Sequence, residues 1–173
     1  MGEVYRAHDA HLKRDVALKV LAPGADDDRQ KQMRREAHAL STLNHPNIAT
    51  IHDLVDAGGI SFVVMELIEG ESLADRVAHG PLPASRVMDY ARQIAAGLQD
   101  AHRCGLVHRD LKPANLMVTS GGQPRIVDFG IASTLTLPDA ATATNLDTGV
   151  ATGTLPYMAS EQIAGGTVDA RAD

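Results

Sequence analysis

The polar residues best suited to chemistry lie between His108 and Asn115, where the sequence reads His-Arg-Asp-Leu-Lys-Pro-Ala-Asn. A second group, Asp128-Phe129-Gly130, begins thirteen residues after Asn115. Together these segments offer carboxylate, amide and ammonium groups, which are suited to proton transfer and to binding phosphate through a metal ion. An eight-residue pattern followed at a suitable distance by a second motif is unlikely to arise by chance.

The two motifs resemble the catalytic loop and the metal-binding motif of protein kinases, H-R-D-L-x-x-x-N and then D-F-G. The resemblance implies that Asp110 accepts the proton of a substrate hydroxyl and that Lys112 contacts the γ-phosphate of ATP. It also implies that Asn115 and Asp128 hold Mg²⁺. A lysine two residues after the aspartate is typical of serine/threonine kinases. The alternative, that His108 and Asp110 are ordinary loop-capping residues, is disfavoured by the joint match.

A strand upstream, Val16-Ala17-Leu18-Lys19, resembles the V-A-I-K strand of the same family, with leucine in place of isoleucine. Lys19 would then hold the α- and β-phosphates and pair with a glutamate of the following helix. Glu36, seventeen residues further on, is the candidate. Either residue alone is more typical of an exposed charge, so this assignment depends on the catalytic loop.

The segment from Phe62 to Gly70 resembles the last small-lobe strand and the hinge of a kinase. Met65 would be the gatekeeper, and the backbones of Glu66 and Ile68 would hydrogen-bond the adenine edge. The residues implied to sandwich the adenine ring are Val4, Ala17 and Met117. The residues that align with the stacked side chains linking the two lobes of active kinases are Leu40, Ile51, His108 and Phe129. Each apolar residue taken singly could equally be ordinary core.

The segment from Gly153 to Glu161 resembles the end of a kinase activation segment, which would span residues 128–161. Family members usually have proline where Ser160 stands, so we expect a less rigid turn that keeps Glu161. Thr154 would support the catalytic Asp110 and Lys112.

The small-residue stretch Ala140–Thr148 predicts a mobile loop. An arginine before the catalytic aspartate, here Arg109, is often associated with control by phosphorylation of this loop. The candidate acceptors are Thr142, Thr144 and Thr148. A phosphate on one of them would pair with Arg109 and order the loop, although flexible loops are rich in threonine for other reasons.

The elements that must position these residues follow from hydrophobic periodicity and turn signals. Strands are predicted at 16–21, 48–55, 60–67, 116–118 and 125–127, with hairpin turns at Gly58-Gly59 and Gly121-Gly122. Helices are predicted at about 29–43, 72–79 and 84–103, the last with an apolar face formed by Val87, Tyr90, Ala91, Ile94, Leu98 and Ala101. The order predicts an α+β, two-lobe kinase-like fold. Residues 1–69 would form the sheet-rich ATP-binding lobe and residues 70–173 the helical catalytic lobe, joined near Gly70-Glu71.

The two ends match internal parts of the family pattern. Gly2-Glu3-Val4 matches the end of the phosphate-covering loop G-x-G-x-x-G-x-V, so Gly2 would contact ATP. Asp173 matches the aspartate that begins the long central helix of the large lobe and hydrogen-bonds the catalytic loop. The resemblance therefore predicts a small lobe without its first strand and a large lobe without its C-terminal helices. We expect a low free energy of unfolding for this chain, and the resemblance does not decide whether the chain is active by itself.

Composition limits the partners and the cellular location that we expect for this chain. A net charge of −6 argues against nucleic acid as a main partner. The single cysteine, Cys104, excludes an internal disulfide and fits a cytoplasmic location. No run of about 18 apolar residues is present, although bacterial relatives often carry a membrane anchor in another part of the chain. The expected partners are protein substrates, with a kinase–kinase dimer for autophosphorylation.

Three alternatives to an active serine/threonine kinase are open at this stage. A pseudokinase scaffold would bind nucleotide without transfer, but it usually lacks one of Lys19, Asp110 or Asp128. A small-molecule phosphotransferase would not be expected to carry Lys112-Pro113 or the 153–161 segment. A catalytically silent kinase fragment is the third.

Overall fold

The computed structural model describes residues 3–21, 27–58, 60–129 and 155–173. The strands are β1 (Val4–Asp9), β2 (Arg14–Val20), β3 (Ile51–Ala57), β4 (Ile60–Glu66), β5 (Gly70–Ser72), β6 (Leu116–Thr119) and β7 (Pro124–Ile126). The helices are α1 (Asp27–Thr42), α2 (Leu73–Ala78), α3 (Ala84–Arg103) and α4 (Ser160–Ile163). Short 3₁₀ turns cover Pro113–Asn115, Leu155–Tyr157 and Ala170–Ala172. This arrangement confirms the predicted α+β fold.

The first lobe is built on a four-stranded antiparallel sheet in the order β1-β2-β4-β3. Ala57 pairs with Ile60, so the predicted hairpin turn between β3 and β4 is confirmed. Gly58 occupies it with a φ of 59°, which glycine adopts without steric cost. Helix α1 buries Ala37 and Leu40 at a spacing of three residues, in the same apolar core as the sheet.

The second lobe begins where the chain leaves β4. Residues 67–69 have no regular structure, and β5 then joins β6 and β7 in a separate antiparallel sheet. The Ser72 hydroxyl caps α2 by accepting a hydrogen bond from the Asp75 N–H at 3.0 Å. The long helix α3 lies against β7, and its buried residues are Tyr90, Ile94, Gly97, Leu98 and Ala101.

Two details differ from the sequence predictions. Strand β1 was not predicted, because its alternating polar residues carry no apolar run, and its pairing with β2 is what makes it a strand. On α3, Val87 and Ala91 are exposed and are not part of the buried face that we predicted. The buried stripe begins at Tyr90 and follows the helical spacing from there. In the parts of the chain that the structure describes, no helix combines the length and apolar composition needed to cross a membrane.

Gly70, the first residue of β5, packs closely against the backbone of β6. A Cβ at this position would lie 2.0 Å from the Val118 carbonyl oxygen, a backbone atom that cannot move aside. We expect Gly70→Ala to lower the free energy of unfolding by at least about 2 kcal/mol. Gly121→Ala is the matched control, since its nearest neighbour would be the Thr119 hydroxyl at 3.8 Å. Denaturant unfolding of both variants measures this, and equal stabilities would contradict the close packing.

Candidate active site

The carboxylate of Asp110 is the point on which the catalytic-loop side chains converge. Lys112 Nζ lies 2.8 Å from Asp110 Oδ2 and 3.0 Å from Oδ1. The amide nitrogen of Asn115 donates to Asp110 Oδ2 at 2.9 Å and to the Asp110 backbone carbonyl at 2.8 Å. Asn115 is buried, in the 3₁₀ turn that leads into β6. These contacts fix the carboxylate of Asp110 in one orientation, which proton transfer requires.

Asp173 holds the backbone of this loop. Its side chain is fully buried and accepts hydrogen bonds from the N–H groups of His108 at 2.7 Å and Arg109 at 2.8 Å. His102 Nε2 of α3 lies 2.9 Å from Asp173 Oδ2. The Arg109 carbonyl accepts a hydrogen bond from the Gln162 side chain at 2.7 Å. The predicted hydrogen bonding of Asp173 to the catalytic loop is therefore confirmed.

His108 connects the catalytic loop to the segment that carries Asp128. Its Nε2 lies 2.9 Å from the Val127 carbonyl, and its Nδ1 accepts a hydrogen bond from the Asp110 N–H at 3.3 Å. A ring that donates at one nitrogen and accepts at the other is the neutral form. Burial lowers the pKa of His108, and this outweighs the Val127 hydrogen bond and the nearby Asp173, Asp110 and Asp128 charges, which raise it.

Lys19 and Glu36 depart from the expected arrangement. Lys19 Nζ lies 2.9 Å from Asp128 Oδ1, and Glu36 Oε1 lies 3.7 Å from Arg109 Nη1. The predicted pair of Lys19 with Glu36 is not among the ion pairs of the described residues. The Lys19 side chain is only 11% exposed and therefore requires a nearby negative charge, which Asp128 supplies. The prediction of a Lys19–Glu36 pair is corrected for this structure.

Which charged residues pair here depends on the tertiary structure. Spacing in the sequence places Lys19 on a strand and Glu36 on the next helix, but the distance between them depends on how α1 lies against the sheet. Arg109 and Asp128 both have positive φ values, 67° and 62°. Both residues stand in a backbone conformation that is uncommon for residues other than glycine, and their side chains meet Glu36 and Lys19 of the first lobe.

The residues predicted to surround adenine lie on both sides of the hinge. Val4 pairs with Lys19, and Ala17 pairs with Met65. Directly opposite residues in antiparallel strands share a face, and Ala17 and Lys19 are two residues apart, so all four occupy one face of the sheet. Ala17 and Met65 are buried, whereas Val4 is exposed at the sheet edge. Met117 lies in β6 of the second lobe, and Glu66 and Ile68 bracket Leu67 in the connection between the lobes.

The four residues of the predicted stack are all buried: Leu40, Ile51, His108 and Phe129. The His108 and Phe129 rings lie 4.8 Å apart between centroids, in a tilted arrangement. Leu40, Ile51 and Phe129 line one small cavity together with Lys19, Met65 and Asp128. The stack therefore joins α1 and β3 of the first lobe to the catalytic loop of the second.

Several predicted residues lie outside the described part of the chain. These are Gly2, Thr154 and the candidate phosphate acceptors Thr142, Thr144 and Thr148. Glu161, on α4, accepts a hydrogen bond from the Ser160 hydroxyl at 3.1 Å.

Three residues that support the site were not predicted: His102, Gln162 and Arg125. His102 and Gln162 fix the catalytic loop, and Arg125 meets the side chain of Glu66, of which only the backbone was predicted to act, at 3.1 Å. No motif marks these three residues, since a polar residue on a predicted surface gives no signal of its partner. For Arg125, its place in a short strand between the buried residues Pro124 and Ile126 was the one available indication.

Comparison with known proteins agrees with this geometry. The protein kinase domain model matches residues 1–173, so the chain belongs to the protein kinase family. It is 42% identical to the serine/threonine-protein kinase pkn2 of Myxococcus xanthus and to PknD of Mycobacterium tuberculosis, in each case over 100% of this chain. It spans 21% and 26% of the lengths of those two relatives.

Solved structures lead to the same family. The kinase domain of Mycobacterium tuberculosis PknI superposes with a TM-score of 0.78 at 32% identity, over 100% of this chain and 62% of that one. Rad53 in complex with AMP-PNP gives a TM-score of 0.72 at 26% identity, over 95% of this chain and 39% of that one. The bacterial-type kinase resemblance and the two-lobe fold are thereby confirmed. Protein kinases in general use ATP and a divalent metal ion.

The buried His108 gives a pH prediction. Its pKa is lower in the folded than in the unfolded chain, where the ordinary value is 6.5. The unfolded chain therefore binds more protons just below pH 6.5, and the stabilising contribution of neutral His108 is lost as the pH falls. Between pH 7 and 5, the free energy of unfolding should fall more steeply for the wild type than for His108→Phe, by up to about 1.4 kcal/mol per pH unit. Denaturant unfolding across this range measures it, and parallel curves would refute it.

Proposed function

We propose that the chain catalyses transfer of the γ-phosphate of ATP to serine or threonine residues of proteins, as part of a signalling kinase. The observation that carries the proposal is the convergence of Lys112 and Asn115 on the carboxylate of Asp110, at 2.8 and 2.9 Å. The backbone of this loop is held by the buried Asp173. A loop that served only as a connection would not need an aligned carboxylate, a cation and a buried amide at one point.

In this proposal each charged residue has one role. Asp110 orients the substrate hydroxyl and accepts its proton, and Lys112 neutralises charge that develops on the transferred phosphate. Lys19 binds the α- and β-phosphates. Since catalysis of phosphoryl transfer consists mainly of positioning and charge stabilisation, the fixed orientation of Asp110 is the contribution that matters most.

The oxygens of Asp128 and Asn115 suit a magnesium ion. Asn115 uses its amide nitrogen on Asp110, which directs its oxygen to another ligand, and Asp128 already attracts the ammonium of Lys19 at 2.9 Å. The Val127 N–H donates to the Asn115 carbonyl at 3.0 Å, which brings the two segments together. Magnesium is usually held by one or two carboxylates together with phosphate oxygens. When bound, it would neutralise the phosphates that this chain positions.

Nucleotide binding has independent support from the fold. Rad53, whose structure contains AMP-PNP, shares the two-lobe arrangement over 95% of this chain. The face of the sheet that carries Ala17, Lys19 and Met65 would cover the adenine and phosphates, while the backbones of Glu66 and Ile68 would hydrogen-bond the adenine edge. Met117 would close the pocket from the second lobe.

A nucleotide-binding scaffold is the second candidate. One observation favours it: Lys19 pairs with Asp128 and Glu36 with Arg109. In an active kinase we expect Lys19 to pair with Glu36. The complete set of Lys19, Asp110 and Asp128 favours the enzyme. The same proposal includes a cytoplasmic location, protein substrates that include a second copy of the kinase, and activation-segment phosphorylation at a threonine.

Asp110→Asn separates the two candidates. The amide keeps the shape of the carboxylate but cannot accept the proton, so we expect phosphate transfer to fall at least about a hundredfold while ATP still binds. Transfer from labelled ATP to a generic basic protein, and to the kinase itself, measures this on the natural full-length protein. Asp100→Asn is the matched control, because within the described residues the Asp100 side chain pairs with the exposed Arg103 on α3. A wild type that binds ATP and transfers nothing would establish the scaffold.

Asp128→Asn tests the metal assignment. We expect the magnesium concentration for half-maximal activity to rise about tenfold or more, because a ligand charge is lost. ATP without metal should bind at least as tightly as to the wild type, since one negative charge near the phosphates and the competing partner of Lys19 are removed. Titrations of ATP with and without magnesium measure both effects. Equal loss of binding in the two conditions would point to damage to the fold.

A further inference from the structure

A charged pair joins the two lobes behind the hinge. Arg125 Nη2, on β7, lies 3.1 Å from Oε1 of Glu66, the last residue of β4. Arg125 Nη1 lies 3.4 Å from Glu66 Oε2 and donates to the Ile48 carbonyl at 3.2 Å. Glu66 Oε2 also accepts a hydrogen bond from the Thr50 N–H at 3.2 Å. We call Glu66 and Arg125 the cross-hinge pair; it connects β4, β7 and the loop before β3.

The surroundings of the cross-hinge pair distinguish it from an ordinary surface contact. The two side chains are 24% and 29% exposed, whereas those of Arg103 and Asp100 on α3 are 68% and 38% exposed. Exposed pairs contribute little because solvent screens them and long side chains lose freedom. The partly buried, two-pronged contact between a guanidinium and a carboxylate is more strongly oriented.

The backbone around the pair is itself a junction between the lobes. The Ile126 N–H donates to the Asn47 carbonyl at 2.7 Å, and the Ala49 N–H donates to the Ile126 carbonyl at 2.9 Å. The Glu66 N–H donates to the Thr50 carbonyl at 2.9 Å. Strand β7 of the second lobe thus hydrogen-bonds Asn47 and Ala49 of the first lobe. Glu66 contacts both parts, through the Thr50 backbone and the Arg125 side chain.

The register of the strands relates this junction to the nucleotide pocket. Arg125 pairs directly with Met117, which is predicted to contact adenine from the second lobe. Met65, the predicted gatekeeper, precedes Glu66 and pairs with Ala17, which is predicted to contact adenine from the first lobe. Because Glu66 follows Met65 in β4, its side chain lies on the opposite face of the sheet from Ala17 and Met65. The cross-hinge pair therefore joins, from behind, the strands that carry the two surfaces that would enclose adenine. Beyond Glu66, residues 67–69 lie outside the strands; Leu67 packs against the core, and the Glu69 carbonyl accepts a hydrogen bond from the Ser120 N–H at 3.1 Å.

We propose that Glu66 and Arg125 are positioning residues for ATP. Their ion pair holds the adenine-binding backbone of Glu66 at a set distance from Met117 and thereby tightens nucleotide binding. This inference rests on the proposed function of the same site. Without the pair, residues 67–69 would have more conformations to lose when adenine binds, and this ordering cost weakens binding. The groups around Asp110 are untouched, so the effect should fall on KM for ATP and not on kcat.

The test is a double-mutant cycle on the natural full-length protein. Glu66→Gln keeps the side-chain length and an oxygen for the Thr50 N–H, and Arg125→Met keeps the apolar stem without the charge. We expect each to raise KM for ATP about three- to tenfold, the range typical of contacting residues, with kcat within about twofold. The double variant should be no worse than the more affected single variant. Arg125→Lys should recover part of the affinity because it restores the charge.

An exposed ion pair on α3 provides the control, and nucleotide-dependent unfolding provides a second measurement. Arg103→Met removes the same side chain from an exposed pair within α3, and its KM should equal that of the wild type. Where a variant is less stable, the increase in unfolding free energy produced by a fixed MgADP concentration reports nucleotide affinity separately from stability. Unchanged KM and MgADP effect, a lower KM, or losses that multiply in the double variant would overturn the proposal. A wild type that binds MgADP but transfers no phosphate would refute the kinase activity alone, and the binding cycle would still decide this inference.

Discussion

The site depends on one buried carboxylate, that of Asp173. A buried charge is costly unless hydrogen bonds replace its lost hydration, and here the backbone N–H groups of His108 and Arg109 do so, with the His102 ring close by. Because two consecutive N–H groups converge on one side chain, the loop takes a sharply defined path. Arg109 is held with a φ of 67°, which a residue with a side chain seldom adopts. The next residue, Asp110, is therefore presented in one orientation.

Charge pairing across the cleft is a second constraint. Lys19 and Glu36 of the first lobe meet Asp128 and Arg109 of the second, so each of these two ion pairs joins the lobes. Pairing Lys19 with Glu36 would instead place both charges in the first lobe and leave Asp128 for a metal ion.

The junction behind the hinge connects the two lobes through backbone hydrogen bonds. Asn47 and Ala49 belong to the first lobe by sequence, yet they hydrogen-bond β7 of the second. The buried Asn47 side chain also donates to the Pro124 carbonyl at 2.8 Å. The stack of His108 and Phe129 against Leu40 and Ile51 adds an apolar connection on the cleft side.

The sequence by itself determined the class of fold and the chemical groups of the site. Hydrophobic periodicity located helix 84–103 to the residue, and paired glycines located both hairpins, because these signals are local. The two motifs between His108 and Gly130 were also recognisable from the sequence, because they resemble the kinase pattern in residue type and spacing. The role of Asp173 could also be anticipated from its place in the family pattern.

Only the tertiary structure decided which charges meet. Lys19 was expected to pair with Glu36 and instead contacts Asp128, and the partner of Glu66 is fifty-nine residues away on β7. Strand β1 and the exposure of Val87 were likewise decided by neighbours that no local pattern specifies. Ion pairing depends on distances of a few ångströms between elements, whereas periodicity reports only which face of an element is apolar. The sequence thus supplied the charged groups, and the packing of the lobes selected their partners.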